Sequence, residues 1–163
     1  MTIQQLVELG RQFLLGCAGT LCFGLLFGIP RRTYLACAAD GAVGWVVYQL
    51  AVLLGAGGVA ATLLAAVPLT LLARVFAITL KAPVTVFLLC GIFPLVPGAG
   101  IYYTAYYFIL DNNPLFIENG VNTLKVAVAL AIGISLVLGM PFPHFGQKSS
   151  EQLLKSRSDT KTE

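Results

Sequence analysis

The chain has 163 residues, 58% of them hydrophobic and 10% charged, with a net charge of +3. A soluble domain carries about 25% charged residues, so this chain has too little polar surface to coat a water-soluble globule. Its few basic residues sit largely in loops and in the tail rather than on one basic face, which argues against nucleic-acid binding.

A hydrocarbon core about 30 Å thick needs roughly 20 apolar residues per helix, and five stretches meet that length. The first covers residues 9–28 and is rich in small residues, among them Gly16, Gly19 and Gly24. The segment before it carries Glu8 and Arg11 rather than a basic leader, so this run is read as a retained span and not a cleaved signal. A turn with Pro30, Arg31 and Arg32 leads to the second span, residues 34–54. A glycine-rich turn at 55–58 precedes the third, residues 59–80, which contains Pro68 and Arg74. After Lys81 and Pro83 the fourth region runs over residues 84–110. The polar turn at 111–114 separates it from the fifth span, residues 121–140. The sequence therefore predicts an all-α, polytopic membrane domain over residues 1–143. Residues 144–163 read as a polar, disordered cytoplasmic tail.

Basic residues collect on the cytoplasmic side of short loops. Arg31, Arg32 and Lys81 lie in the first and third loops, and Lys148, Lys155, Arg157 and Lys161 in the tail. With five spans these places share one side, so the N-terminus is expected outside and the C-terminus in the cytoplasm. The small residues of the first two spans suit close helix packing, within the chain or against a partner subunit.

The fourth region is about 27 residues long, or about 40 Å as a straight helix, more than a bilayer core requires. Its sequence GIFPLVPGAG at 91–100 places Pro94, Pro97 and Gly98 in the middle. Proline removes a backbone donor and glycine relaxes the dihedral limits. The expected outcome is a discontinuous helix rather than a simple kink. Irregular backbone at membrane depth is tolerated where protein buries it or where it lines a cavity, and such breaks form solute sites in many transporters. Tyr102 and Thr104 follow closely and offer hydroxyls to a polar solute, while Tyr103, Tyr106 and Tyr107 also fit an interfacial aromatic belt.

Two charges fall deep in spans, Asp40 and Arg74. An intramembrane ionisable residue is a functional-site hypothesis by default. Arg74 could bind a solute carboxylate and Asp40 could carry a proton. The structural alternative has both snorkelling to the cytoplasmic headgroups or pairing with each other. Glu118, Asn122 and Lys125 lie near the outer start of the fifth span, and His144 follows the last span at the interface. Cys17, Cys22, Cys37 and Cys90 lack metal-ligand spacing and read as packed free thiols, so no metal or cofactor is expected. Nucleotide loops, serine elbows and zinc-protease motifs are absent, which excludes the common enzyme classes.

Taken in order, the stretch around Pro30–Arg32, the sequence GAVGWVVYQL, Arg74 followed by Pro83, the FPLVPGAGIYYTAYY break and the final LGMPFP resemble the threonine/serine exporter family, in its smaller C-terminal-type module. The resemblance covers about residues 10–143. It implies proton-driven export of small amino acids, or of related organic acids such as succinate, across a bacterial plasma membrane, beside a second membrane subunit. By position, Pro94, Pro97, Gly98 and Tyr102 or Tyr103 match its broken-helix motif, Arg74 and Pro83 the segment before it, and Gly41, Gly44 and Trp45 its second-span motif. Asp40 departs from the family pattern, which places a small or apolar residue there, so the partner subunit is the alternative source of a proton carrier. A non-transporting scaffold subunit that stabilises a partner is the competing function.

Overall fold

The computed structural model describes residues 3–141. Within them lie six α-helices: α1 (Ile3–Leu26), α2 (Tyr34–Leu53), α3 (Gly58–Thr79), α4 (Val84–Gly91), α5 (Gly98–Ile109) and α6 (Asn113–Leu138). No strand occurs among the described residues. The polar tail and His144 fall outside them.

Four helices, α1, α2, α3 and α6, are individually long and apolar enough to cross a membrane. The α4–α5 pair passes as one span bent by 57°. Side-chain neighbours fix the directions. Gly16 faces Ala42 and Trp45 while Thr20 faces Gly41, so α1 and α2 are antiparallel. Gly58 lies by Tyr48 and Leu69 by Gly44, so α2 and α3 are antiparallel too. Cys37 reaches the Val86 carbonyl and Asp40 lies on Gly91, so α4 runs with α2. Gly100 faces Thr123 and Gly120 faces Thr104, so α5 runs against α6. Gly133 meets Ala66, and Arg74 reaches Val137, so α6 runs with α3. These relations make α4 and α5 successive halves of a single crossing rather than a re-entrant loop, and five crossings alternate in direction.

The core is built from α2, α3 and α4, with Cys37, Ala65, Ala66, Leu69, Ala73, Phe87 and Cys90 at its centre. Small residues dominate because close approach of helix backbones, not burial of large side chains, drives packing in lipid. A Cβ on Gly16 would stand 3.1 Å from the Ala42 Cα, and one on Gly44 2.5 Å from Leu69 Cδ1. The outer faces carry large apolar side chains such as Leu14, Leu35, Leu54 and Ile109, all mostly exposed, as a lipid-facing surface requires. Threonine hydroxyls are satisfied within their own helices: Thr20, Thr62, Thr70, Thr104 and Thr123 each donate to the carbonyl four residues earlier.

The structure departs from the sequence reading in several places, among them the start of α1, at Ile3 rather than near residue 9. Helix α6 begins at Asn113, eight residues before the expected fifth span. Asn112 caps it by accepting a hydrogen bond from the Leu115 N–H at 3.4 Å, and Pro114 occupies its first turn, where a missing donor does no harm. Glu118, Asn122 and Lys125 therefore lie within the helix. The freedom expected of Gly98 and Gly100 is not used in the left-handed region; the positive-φ glycines among the described residues are Gly28 and Gly55. These end α1 and α2 in Schellman geometry, with the Ile29 N–H on the Gly24 carbonyl and the Ala56 N–H on the Ala51 carbonyl. Gly100 is needed for a different reason: a Cβ there would collide with Thr123 across the α5–α6 contact.

Candidate functional site at the helix break

The break forms because Pro94 cannot offer an N–H to the Cys90 carbonyl, and α4 ends at Gly91. A single 3-10 turn, Phe93–Leu95, follows, with the Leu95 N–H on the Ile92 carbonyl at 2.8 Å. Pro97 then sits at φ −75°, ψ 58°, and the Gly98 N–H bonds the Val96 carbonyl at 2.7 Å, an inverse γ-turn. The chain restarts as α5 at Gly98. Short local bonds thus satisfy part of the irregular backbone, as membrane depth demands.

Aromatic stacking pins the break to α1. The rings of Phe23 and Phe93 stack with centroids 3.8 Å apart, and Phe27 lies 5.4 Å from Phe93. Beside this clamp lies a cleft of about 270 Å³ between α1, α2 and the break. Gly16, Gly19 and Phe23 form its α1 wall, Trp45 its α2 wall, and Phe93 and Pro94 its floor. Its polar group is Gln12. The Trp45 indole N–H donates to Gln12 Oε1 at 2.8 Å. Gln12 Nε2 donates in turn to Glu8 Oε1 at 2.9 Å, which also accepts from Arg11 at 2.6 Å. A chain of directed hydrogen bonds therefore runs from an exposed ion pair at the end of α1 to the one tryptophan of the sequence, at the break. The glycines leave the space: a Cβ on Gly19 would meet nothing within 4 Å.

A second, larger groove of about 720 Å³ lies on the other side, between α5 and α6. Pro97, Ile101 and Thr104 form one wall, Thr123, Ala127 and Ile134 the other. Its surface is almost wholly apolar, and the two threonine hydroxyls are already committed to their own helices. It suits an acyl chain or an apolar helix better than a zwitterion.

The predicted residues do not gather in one place. Trp45 and Pro94 meet at the small cleft, with Gly44 behind Trp45 against Leu69 and Gly41 against Thr20. Pro97 and Thr104 line the apolar groove, and Gly98 is the exposed first residue of α5. Tyr102 is 63% exposed and stacks with Tyr106 on the outer face of α5. Pro83 caps the start of α4. Arg74 does not pair with Asp40. Its guanidinium donates to the carbonyl of Val137, in the last turn of α6, where orphan carbonyls and the negative helix end favour a cation. Asp40 does not snorkel: it is completely buried between α2 and α4, with both carboxyl oxygens unpartnered.

The sequence reading missed Gln12, Phe23 and Phe93. The Glu8, Arg11, Gln12 spacing of one helical turn was visible, but nothing in the sequence tied it to Trp45, 33 residues on.

A family model described as "Threonine/Serine exporter, ThrE" matches residues 12–140, which include the cleft, the break and Arg74. A probable threonine/serine exporter of Mycobacterium tuberculosis (strain ATCC 25618 / H37Rv) is 34% identical over 87 residues, a stretch covering 52% of this chain and 16% of that relative. The matched stretch is thus about a sixth of that relative's length. No solved structure matches. The match over residues 12–140, most of the chain and all of its crossings but the ends, establishes that the chain belongs to the threonine/serine exporter family.

Proposed function

We propose that the chain is one subunit of a proton-coupled secondary exporter of threonine, serine or a related small acid in a bacterial plasma membrane, and that the cleft between α1, α2 and the break receives the solute. One observation carries this reading: the two motifs on which the family resemblance rests, Gly44–Trp45 and the proline break, converge on a single small cleft that holds a polar side chain. Its volume of about 270 Å³ falls just below the range of drug-sized sites, as suits a solute of a few heavy atoms. Gln12 and the Trp45 indole orient polar groups, and the ends of α4 and α5 turn backbone dipoles toward the break. Arg74 holds the end of α6 and is the cation this reading assigns to a solute carboxylate. Asp40 is the candidate proton carrier.

In this reading the N-terminus is outside and the C-terminus cytoplasmic, which puts the exposed Arg31 and Arg32 on the cytoplasmic side. A second membrane module covers α5. Helix α5 has no buried residue, Tyr102 and Thr104 lie on its uncovered side and groove, and the related exporter is far longer than the stretch it shares with this chain. Helices of two such modules would enclose the break, which otherwise opens to lipid.

Efflux of preloaded labelled threonine, with succinate in parallel, tests the reading in cells carrying this chain alone or with its partner module. Gradient-dependent efflux by the pair, lost with Pro97→Ala or Arg74→Ala, is expected. A well-assembled complex that moves neither solute would point to a scaffold, a reading that the apolar α5–α6 groove otherwise supports as a helix-docking surface.

A further inference from the structure

Asp40 lies outside the cleft, against Gly91, which precedes the cleft-lining Phe93 by two residues. It is completely buried, and neither carboxyl oxygen has a hydrogen-bond partner. The groups around it are few. Cys37 precedes it by a turn on α2, and Cys90 faces it from α4. From α3 the neighbour is Leu69, while the charge of that helix, Arg74, is directed at Val137. From α1 Thr20 packs on the adjacent Gly41, with its hydroxyl on the Gly16 carbonyl. Arg31 and Arg32 at the start of α2 are exposed, and the 3-10 turn of the break brings no titratable group. An ionised carboxylate here would lack every donor it needs, which is costly in a dry interior.

Gly91 makes the seat. A Cβ at this position would overlap Asp40 Oδ2, so the absence of a side chain is what admits the carboxyl. Gly91 is also the last residue of α4, two residues before Phe93, whose ring lines the cleft and stacks on Phe23.

We propose that Asp40 and Gly91 form a protonatable latch that ties a proton to the position of the break. With the proton bound, the carboxyl rests on Gly91 and α4 stays seated against α2. When the O–H bond breaks, the proton passes to water entering between α2 and α4, and the carboxylate takes its hydrogen bonds from that water. The last turn of α4 then leaves α2 and draws Phe93 from the cleft. This inference rests on the exporter reading and assigns its coupling step to this chain rather than to a partner.

Native membrane vesicles containing the full chain and whatever it assembles with provide the test. Exchange of labelled for unlabelled threonine at equal pH reads solute movement alone, and efflux accelerated by an imposed pH gradient reads coupling. Asp40→Asn should keep exchange and lose the acceleration. Gly91→Ala should impair both, and adding Asp40→Ala to it should restore exchange without restoring the acceleration. Modification of Asp40 by dicyclohexylcarbodiimide, followed by mass spectrometry, should fall as pH rises and should change rate in Gly91→Ala. An Asp40→Asn protein that responds to the gradient like the parent overturns the latch. If the parent moves no threonine or succinate at all, the exporter reading fails by itself. The carbodiimide arm then decides: modification that depends on Gly91 upholds the latch, and modification absent at every pH, or indifferent to Gly91→Ala, overturns it.

Discussion

Gly19 and Gly16 stand one turn apart on α1, and the structure gives them opposite roles. Both line the cleft. A Cβ on Gly19 would meet nothing within 4 Å, whereas one on Gly16 would press 3.1 Å from the Ala42 Cα. Gly19→Leu therefore adds four carbons at a space of about 270 Å³, starting from a Cβ that meets no neighbour. Leucine is also a better helix former than glycine by about 0.8 kcal/mol, so the fold should be as stable or slightly more so. Transport should suffer: a tenfold loss corresponds to about 1.4 kcal/mol in the barrier, a modest demand for an obstructed site. Gly16→Ala should behave in reverse. It forces α1 from α2 at a cost of about 1–3 kcal/mol, the usual range for overpacking, and lowers the unfolding temperature first. The assay is threonine exchange in vesicles beside thermal unfolding in detergent, for both variants. A Gly19→Leu protein that folds and exchanges threonine at the parental rate would refute the assignment of the cleft to the solute.

Phe93→Ala removes both aromatic contacts of the clamp; at about 0.5–1.5 kcal/mol each, the break should detach from α1 in a substantial fraction of molecules, read as loss of cross-linking between cysteines placed on α1 and the 3-10 turn. Arg74→Ala should lose efflux and also cost about 2 kcal/mol through the lost α6 terminus, seen as a lower unfolding temperature; normal efflux by a destabilised variant would confine Arg74 to holding the end of α6. Asn112→Ala should cost about 1 kcal/mol and fray the start of α6, measured by faster amide exchange there, with solute exchange unaffected.

Much of the architecture was legible because membrane physics leaves few options. Apolar runs of fixed length, turn residues between them and the two prolines were enough to place four spans and the break. The early start of α6 was hidden because Asn113, Glu118, Asn119 and Asn122 make its first turns look like a polar loop. Only the cap at Asn112 and Pro114 at the first turn signal a helix there. The site was legible in part. Trp45 and Pro94 were identified, but their meeting depends on Phe23 and Phe93 stacking across 70 residues, which no local pattern reveals. Charge alone was a poor guide to role. Arg74 ends on a helix carbonyl, and Asp40 is sealed in rather than drawn to the headgroups, because Gly91 opens a space that the sequence does not announce.

The sequence contains one tryptophan, and it lines the cleft with its N–H on Gln12. The fluorescence of Trp45 in the purified chain is therefore the most direct report on whether solute enters there. Titration with threonine, serine and succinate should give a saturable change with the exported solute, absent in Gly19→Leu. A chain that supports threonine efflux in cells while Trp45 stays silent to every solute would contradict the account, and would move the solute path to another face of the break.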